Sequence, residues 1–468
     1  MIHEEALHEH GFGRMSSSEA RQLKKADEDR QRLFAETWRS RKGHTLTYVG
    51  LFLFTFVLYF RPYEMIPALS GLNSIAMILA IATLLIYLPS QVATDGTLTA
   101  LPTEVKCVLF LGFWALLTIP IAKDPSLAWE EFNEHFSKVI IIFVVMVNAL
   151  RTPGRLKGLM WLAIGIAVVL SYQAINLYRE GKFAVEGYRV KVDFGGMFGN
   201  PNDMAAHLVI FMPIAVALGL ATRSKLAKIL YFGSAIIMIG GILVTQSRGG
   251  FLGFLAASAV FAWKIGKGRR FKVLLVTAFS GLLVTLFAPG NYGIRILSIF
   301  IPALDPVNSA EQRRELFTQS IWVTLRNPWG IGIGNFEIVG VRNLVTHNAY
   351  TQVSAELGLL AFAAYLIFLI SPLRKLGAVE RLTFKQKEYT WIYFATVGVY
   401  ASIAGYMVSS FFGSIAYNWY VYYPVAFAVG LRRIYQLRER ETQSAAIAGE
   451  ATTVETAEVL PSHAVTVN

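Results

Sequence analysis

The chain has 468 residues, of which 54% are hydrophobic and only 16% are charged, and its formal net charge is +12. Soluble globular domains carry about 25% charged residues, so this composition excludes that class and indicates a membrane protein. The positive charge is divided between both tails and alternate loops, which is typical of membrane topology and argues against a nucleic-acid surface.

Apolar runs recur along the chain at lengths close to the roughly 17–25 residues that a helix needs to cross a bilayer. The boundaries favour twelve runs but also allow eleven or thirteen, because the first and fourth runs are short. The sequence therefore predicts an all-α polytopic membrane protein of about twelve transmembrane helices, with a large loop between the ninth and tenth. The twelve runs cover residues 45–60, 72–88, 104–121, 137–150, 157–177, 203–222, 226–246, 250–266, 271–288, 348–372, 389–413 and 415–431.

The distribution of Lys and Arg predicts which loops face the cytoplasm, because cytoplasmic loops are enriched in both. Both termini are predicted to be cytoplasmic, and residues 1–43 and 432–468, which lack an apolar period, are predicted to be disordered tails. The membrane domain is then 44–431, with external loops at 178–203 and 289–347. Besides the tails, the basic residues concentrate near 151–157, 223–228, 264–272 and 374–387.

External loops should be poor in basic residues, yet several cations occupy them, and topology leaves these unexplained. Any single one is accounted for equally well by an ion pair with a nearby carboxylate, since exposed pairs are common and weak. The set as a whole favours an anionic substrate. Its members are Arg179, Lys182, Arg189, Lys191, Arg248, Arg295, Arg313, Arg314, Arg326 and Arg342.

The seventh and eighth runs meet at the short reversal Thr245–Gly250, which contains Arg248. So short a turn keeps the guanidinium near the hydrocarbon boundary, where a charge is costly unless it is paired or functional. Gly249 and Gly250 permit a tight backbone and the close approach of a ligand. Arg248 is therefore a functional candidate, with a purely structural role as the alternative.

The loop before the sixth run alternates apolar and polar residues over 183–194, which predicts an amphipathic hairpin or ribbon. It ends in a glycine- and asparagine-rich turn at 199–203, where Asn202 or Asp203 is expected to cap the next helix. The positive end of that helix dipole offers an anion site, although a lone cap is usually only a cap.

In the long external loop, residues 311–326 show helical spacing and place Arg313 one turn before Phe317 on the same side. Three glycines follow at alternate positions from 330. A compact turn there is predicted to bring Arg342 and His347 back towards the membrane.

His347 stands between Thr346 and Asn348, just before the tenth run. A neutral imidazole accepts the proton of an attacking hydroxyl, and the outward helix N-terminus disfavours the imidazolium. The alternative is that all three residues only cap the helix, but Asn348 does this alone and leaves His347 without a structural role. We therefore interpret His347 as a general base or as a residue that orients the attacking hydroxyl. Glu356, more than two turns further on, is expected to supply packing or polar support.

Several short motifs follow one another in a fixed order. They are Gly199-Asn200-Pro201-Asn202, Ser247-Arg248-Gly249-Gly250, Arg313 with Trp322, Asn327-Pro328, Gly330-x-Gly332-x-Gly334-Asn335-Phe336, Thr346-His347-Asn348-x-Tyr350 and Glu356-x-Gly358. As an ordered set they resemble the O-antigen ligase and polymerase superfamily. The resemblance covers about residues 195–372 and extends to the twelve-run layout with its large external loop.

This resemblance implies the all-helical membrane architecture of class C glycosyltransferases. It implies transfer of a glycan from undecaprenyl diphosphate to an acceptor hydroxyl at the periplasmic face of the bacterial inner membrane. The acceptor would be the lipid A-core of lipopolysaccharide, another glycan or a protein. A polymerase of repeat units and a protein O-glycosylation ligase are the alternatives within the family, and a transporter of lipid-linked sugars is the alternative from another class. Membrane lipids are expected partners and nucleic acid is not.

Within that chemistry, Arg248 and Arg313 are expected to bind the donor diphosphate while His347 acts as the base, with inversion at the anomeric carbon. Guanidinium groups bind a diphosphate bidentately, so they are expected to replace a divalent cation, and no metal or other cofactor is predicted. The single cysteine, Cys107, lies inside the third run and excludes a disulfide framework. Further substrate contacts are expected from Arg314, Arg342, Arg189, Lys191, Asn202, Asn348 and Tyr350.

Overall fold

The structure is a computed structural model that describes residues 43–60, 74–192, 198, 200–286, 290, 292–298, 301, 303 and 309–458. Residues His44–Tyr435 form one compact unit, whereas Gly43 and the chain from Gln436 belong to a second. Throughout the described residues the secondary structure is helical, and the one pairing of extended residues is an isolated antiparallel bridge between Val185 and Arg189. The all-α class is confirmed. The ribbon predicted over 183–194 is only a tight turn in its described part, which ends at residue 192.

Seventeen α-helices occur in this described part of the chain. In order they are α1 (Thr45–Phe60), α2 (Ile75–Asp95), α3 (Thr103–Thr118), α4 (Pro125–Glu131), α5 (Ser137–Ala149), α6 (Pro153–Arg179), α7 (Pro201–Ala221), α8 (Lys225–Val244), α9 (Arg248–Ile265), α10 (Arg270–Leu286), α11 (Tyr292–Leu297), α12 (Ser309–Arg326), α13 (Phe336–Val339), α14 (Ala349–Glu356), α15 (Gly358–Thr383), α16 (Thr390–Ser409) and α17 (Tyr422–Glu458). A π-helical turn joins α4 to α5.

Eight helical segments of the described chain are long and apolar enough to cross a membrane. The protein is therefore a multi-pass membrane protein. The segments are α2, α3, the continuous α4–α5, α6, α7, α8, α15 and α16, and α1 is a shorter apolar helix. The count of twelve spans and the sidedness of the loops stay predictions.

Two predicted runs differ from the helices that form. The tenth run, 348–372, does not form one helix, since the helix breaks before Gly358, which adopts a φ of +81°. The last helix begins at Tyr422, inside the twelfth run, and continues through Glu458. The predicted tail 1–43, apart from its last residue, and residues 459–468 lie outside the described part of the chain.

Helix α7 lies at the centre of the compact unit, since it packs against α6, α8, α9 and α16. It is apolar on every side, as expected for a helix surrounded by other helices. Small residues allow close approach: a Cβ on Gly405 of α16 would lie 2.8 Å from Val209 of α7 and 2.9 Å from Ala257 of α9. Close packing through small residues is how helices associate in membranes. It fixes α9, whose first residue is Arg248.

Helix α12 of the long loop is held against α14. Its residues Leu316, Ser320 and Thr324 recur every fourth position and are buried. The hydroxyl of Thr324 lies 3.0 Å from that of Ser354 on α14. This contact fixes which way the remaining faces of α12 point, including the face that carries Arg313.

The turn after α12 is locked to the junction of α14 and α15. Gly330 has a φ of +94°, and a Cβ there would overlap the carbonyl oxygen of Glu356. The N–H of Gly332 donates to that same oxygen at 2.9 Å, and the N–H of Leu359 donates to the carbonyl of Pro328 at 2.9 Å. The compact turn predicted from the glycines is confirmed, and it ties the end of α12 to the end of α14.

Candidate active site

Arg248 is held at the start of α9 by the N-cap of that helix. The hydroxyl of Ser247 accepts a hydrogen bond from the backbone N–H of Gly250 at 3.1 Å. The Arg248 side chain is only 8% exposed, and its Nη1 donates to the hydroxyl of Ser298 at 3.0 Å. The guanidinium therefore has a defined position instead of extending into solvent.

The two glycines after Arg248 admit neighbouring helices. A Cβ on Gly249 would lie 2.5 Å from the Cβ of Phe412, and one on Gly250 would overlap the side chain of Ala205. The sequence suggested that these glycines make room for a ligand, but the space beside them is filled by protein.

The cap of α7 is Asn200, not Asn202 or Asp203 as predicted. Its side chain accepts from the N–H of Asn202 at 2.9 Å. Pro201 takes the first helical position, where its missing N–H leaves no bond unmade. The side chain of Asn202 is consequently available for bonds outside its own helix.

Asn202 and Arg189 brace the turn that presents Arg248. Arg189 is 3% exposed, and it donates from Nε to the carbonyl of Thr245 at 3.1 Å and from Nη2 to Oδ1 of Asn202 at 2.8 Å. The same Asn202 oxygen accepts from the hydroxyl of Ser247 at 2.8 Å. Both residues were expected from the sequence to contact substrate. The bonds they make are structural, and a substrate contact stays a prediction.

Arg295 of α11 completes this network from the other side. Its Nε donates to the carbonyl of Gln246 at 2.9 Å, and its Nη1 forms an ion pair with Glu186 at 2.8 Å. The hydroxyl of Tyr292 donates to the carbonyl of Ser247 at 3.0 Å. Arg295 therefore forms an ion pair with a nearby carboxylate, which is the alternative given above for any single cation of these loops.

Arg313 and Arg314 of α12 line the same cavity as Arg248. Arg313 forms no hydrogen bond or ion pair with a described residue. Burial, together with the charges of Arg248, Arg189 and Arg295, lowers the pKa of Arg313 to about 10, so the group stays charged at neutral pH. Arg314 is exposed. The charges of three guanidinium groups thus accumulate beside one cavity, which indicates an anion-binding site.

His347 lies between α13 and α14 with a φ of +51°, in the left-handed region. Asn348 caps α14, because its side chain accepts from the N–H groups of Tyr350 at 2.9 Å and Thr351 at 3.1 Å. The ring of His347 makes no hydrogen bond with the described residues, so Asn348 caps the helix without it, and the catalytic role of the imidazole stays a prediction. Burial, and then the charge of Arg313, lower the pKa of His347 to about 4. The imidazole is neutral at pH 7.

A cavity of about 310 Å³, the arginine cavity, brings these groups together. No carboxylate is among its described lining residues, so three guanidinium groups and a neutral imidazole face one space. The lining residues are Arg248, Leu252, Ser298, Ala310, Arg313, Arg314, Phe317, Thr346, His347, Asn348, Phe411 and Phe412.

A second and larger space of about 810 Å³, the apolar groove, adjoins the arginine cavity. Its wall includes the stripe of α12 recognised in the sequence, namely Phe317, Ile321 and Leu325, together with Tyr350 and Phe362. The residues that line both spaces are Leu252, Phe317, Asn348, Phe411 and Phe412. A charged chamber therefore adjoins an apolar one, which is the arrangement that an amphipathic ligand requires.

Other predicted site residues lie elsewhere. Arg342 is exposed and is not among the residues that line either space, while Lys191 is half-buried in the segment that follows the Val185–Arg189 bridge. Tyr350 lines the groove with its ring, and its hydroxyl donates to the carbonyl of Met407 at 2.7 Å.

Glu356 lies behind the glycine turn and does not line the arginine cavity. One of its oxygens accepts from the N–H of Phe336 at 3.4 Å. Burial, with a smaller contribution from the nearby Glu131, raises the pKa of Glu356 to about 8. The carboxyl is therefore protonated at neutral pH, which fits polar support better than the role of a base.

Ser298, Phe411 and Phe412 were not predicted from the sequence. The two phenylalanines line both the arginine cavity and the apolar groove. An aromatic pair at the end of an apolar run is a usable signal, since aromatic residues gather at membrane interfaces. Ser298 carries no such signal.

These features define a multi-pass membrane protein with an arginine- and histidine-lined cavity beside an apolar groove. Residues 233–366 match the family model described as O-antigen ligase. This match supports the O-antigen ligase superfamily and, at a general level, glycan transfer from a lipid-linked donor to a glycan or lipid acceptor. The matched segment contains Arg248, Arg313 and His347, whereas Arg189 and Asn202 precede it. No curated protein matches the chain significantly.

Proposed function

We propose that this protein transfers a glycan from undecaprenyl diphosphate to an acceptor hydroxyl at the periplasmic face of the bacterial inner membrane. The observation that carries the proposal is the junction of the arginine cavity with the apolar groove. A lipid-linked glycan donor has the same division, because a negatively charged diphosphate joins a sugar to a long apolar chain. Since five residues line both spaces, one molecule fits the two together.

The diphosphate is assigned to Arg248 and Arg313. Arg248 is fixed by Ser298 and by the braced turn behind it, so its guanidinium is preorganised. Arg313 is half-buried and makes no hydrogen bond or ion pair with the described residues, and a bound phosphate supplies such a partner. When the glycosidic bond breaks, charge develops on the departing diphosphate, and positioned guanidinium groups stabilise that charge. We infer that they take the place of a divalent cation, so that EDTA leaves transfer unchanged.

His347 is assigned as the general base. The acceptor oxygen attacks the anomeric carbon while the bond from that carbon to the phosphate oxygen breaks. His347 takes the proton of the acceptor hydroxyl, and the diphosphate leaves on its lipid carrier. A single displacement of this kind inverts the anomeric configuration and forms no glycosyl-enzyme intermediate.

A histidine with a pKa of about 4 is a weak base at neutral pH. The diphosphate adds negative charge next to Arg313, the group whose charge depresses this pKa. An anion within about 4–6 Å shifts a pKa by about 1–3 units. Donor binding therefore strengthens the base.

The acceptor distinguishes the candidate activities within the superfamily. A lipopolysaccharide ligase, which we favour because the matched family is described as O-antigen ligase, uses the lipid A-core. A polymerase uses a second lipid-linked repeat unit, and a protein ligase uses a hydroxyl side chain. A transporter is expected to carry charged groups at mid-membrane on several helices. Arg248, Arg313 and His347 instead lie near helix ends, which favours a transferase.

The experiment uses purified full-length protein, a labelled undecaprenyl-diphosphate glycan and each of the three acceptor classes. Arg313→Ala is compared with Arg326→Ala, a matched change of an exposed arginine in the last turn of the same helix. Hydrogen bonds to charged groups contribute about 1.5–3 kcal/mol. Arg313→Ala should therefore weaken donor binding by roughly 10- to 100-fold, while Arg326→Ala leaves it unchanged. Equal donor binding by the two variants would contradict the proposed diphosphate site.

A further inference from the structure

A second group of charged side chains lies at the end of helix α6 that is opposite the arginine cavity. Helix α6 has 27 residues and is about 40 Å long. Its last residue, Arg179, leads into the segment that contains Arg189, which braces the turn beside Arg248. The chain immediately before its first residue contains Arg151. This residue, with Asp95 and Arg433, forms the distal ion cluster.

Arg151 is the fixed member of this cluster. Its side chain has no exposed surface. It donates to the carboxylate of Asp95 from Nη1 to Oδ1 at 3.0 Å and from Nη2 to Oδ2 at 2.6 Å. It also donates to the side-chain oxygen of Gln91 at 3.1 Å and to the carbonyl of Asn148 at 2.6 Å. These bonds tie the junction of α5 and α6 to the end of α2, so Arg151 and Asp95 have a structural role.

Arg433 of α17 approaches the same carboxylate without a comparable bond. Its Nη2 lies 3.9 Å from Oδ2 of Asp95, the oxygen that already accepts from Arg151 at 2.6 Å. This is the one ion pair or hydrogen bond that Arg433 makes with the described residues, and its side chain is 25% exposed. Two guanidinium groups thus share the carboxylate of Asp95. The more accessible of them, Arg433, has few hydrogen-bond acceptors.

The electrostatic surroundings agree with a surplus of positive charge. Burial, and then the charge of Arg151, lower the pKa of Arg433 to about 10. Burial and Arg151 also lower the pKa of the adjacent His44 to about 4. The contribution of Arg151 to both shifts, beyond that of burial, agrees with positive charge at this site.

The surface beside the cluster is apolar and exposed. Leu85, Leu88 and Val92 of α2 are 67%, 41% and 50% exposed. Together with Asp95 they follow a spacing of three, four and three residues, which places them along one side of the helix. This side is a hydrocarbon-facing surface that ends at the distal ion cluster.

We propose that Arg433 binds the phosphate of an anionic phospholipid whose acyl chains lie along Leu85, Leu88 and Val92. The guanidinium donates to phosphate oxygens, which supply the acceptors that Asp95 cannot, because its carboxylate is already held by Arg151. The site is separate from the arginine cavity and does not depend on the proposed transferase activity. Basic pockets between transmembrane helices are known places for anionic headgroups.

The test measures binding of phosphatidylglycerol to the purified full-length protein in detergent, by native mass spectrometry and by the lipid-induced rise in Tm. Arg433→Gln is compared with Arg432→Gln, which removes the same charge from the neighbouring position of α17. One basic residue near the membrane surface contributes about a fivefold change in affinity. We expect at least that loss in Arg433→Gln and no loss in Arg432→Gln. Equal affinity in the two variants overturns the proposal.

Two further arms need only the wild-type protein, so the test stands even if Arg433→Gln misfolds. Raising the salt from about 50 to 500 mM should weaken phosphatidylglycerol binding, because salt screens a partly exposed charge pair. Phosphatidylcholine and inorganic phosphate should each give a smaller rise in Tm than phosphatidylglycerol. Salt-independent binding, or an equal response to phosphatidylcholine, contradicts an anionic headgroup. An equal response to inorganic phosphate contradicts a lipid.

Discussion

The dependence of glycan transfer on pH should differ between the free protein and its donor complex, because the surroundings of His347 change when the donor binds. In the free protein, burial and Arg313 hold the pKa of His347 at about 4. A diphosphate that pairs with Arg313 raises this pKa by about 1–3 units, to about 5–7. Only neutral imidazole accepts a proton. As the pH is lowered, kcat/KM for the donor should therefore fall with a midpoint near pH 4, and kcat should fall with a midpoint that is about 1–3 pH units higher.

The assay is initial-rate transfer between about pH 3 and 8 with varied donor and saturating acceptor. Samples are returned to pH 7 to establish that the loss at low pH is reversible. In Arg313→Gln, the midpoint for kcat/KM should rise towards the ordinary histidine value of about 6.5, because one cause of the depression is gone. Coincident midpoints for kcat and kcat/KM in the wild type, or an unmoved midpoint in Arg313→Gln, would refute this coupling between donor and base.

Three other outcomes follow from the structure. Arg248→Lys keeps the charge but loses the planar fork, so transfer should fall about 10-fold or more in the reconstituted assay, and a wild-type rate would exclude bidentate phosphate binding. The folded protein holds the proton of Glu356 up to about pH 8 whereas the unfolded chain releases it near 4.5, so stability should decline as pH rises between these values. Glu356→Gln should flatten that decline in Tm and keep transfer, and an unchanged slope would show that this carboxyl is already ionised. In a Cys107→Ala background, Asn343→Cys should react with an impermeant thiol reagent applied from outside and Lys385→Cys should not, and the reverse pattern would overturn the predicted topology.

The residues that gather in the arginine cavity were largely predictable because their signals are local. An arginine in a reversal too short to leave the membrane, and a histidine beside an asparagine that caps the helix by itself, are both unusual in sequence. The spacing of Arg313 and Phe317 on one helix also predicted that they would face the same space, and both line the cavity.

The parts that sequence could not supply depend on contacts between distant segments. Arg189 resembles the other external cations in sequence, and only the fold places it against Thr245, where its bonds are structural. Phe411 and Phe412, which line both spaces, follow the end of α16 and are far along the chain from Arg248. The break before Gly358 was missed because it depends on a distant contact: the backbone turns there to pack against the loop at Pro328.

The central claim is that the arginine cavity binds the donor while His347 performs the proton transfer. It is tested most directly by measuring donor binding and glycan transfer in His347→Ala, with His135→Ala as the control, since His135 is a largely exposed histidine paired with Glu131. General-base catalysis contributes about 10²- to 10⁴-fold. We predict that His347→Ala binds the labelled donor as the wild type does and transfers its glycan slower by that factor, while His135→Ala keeps both activities. Transfer by His347→Ala at the wild-type rate would contradict the account.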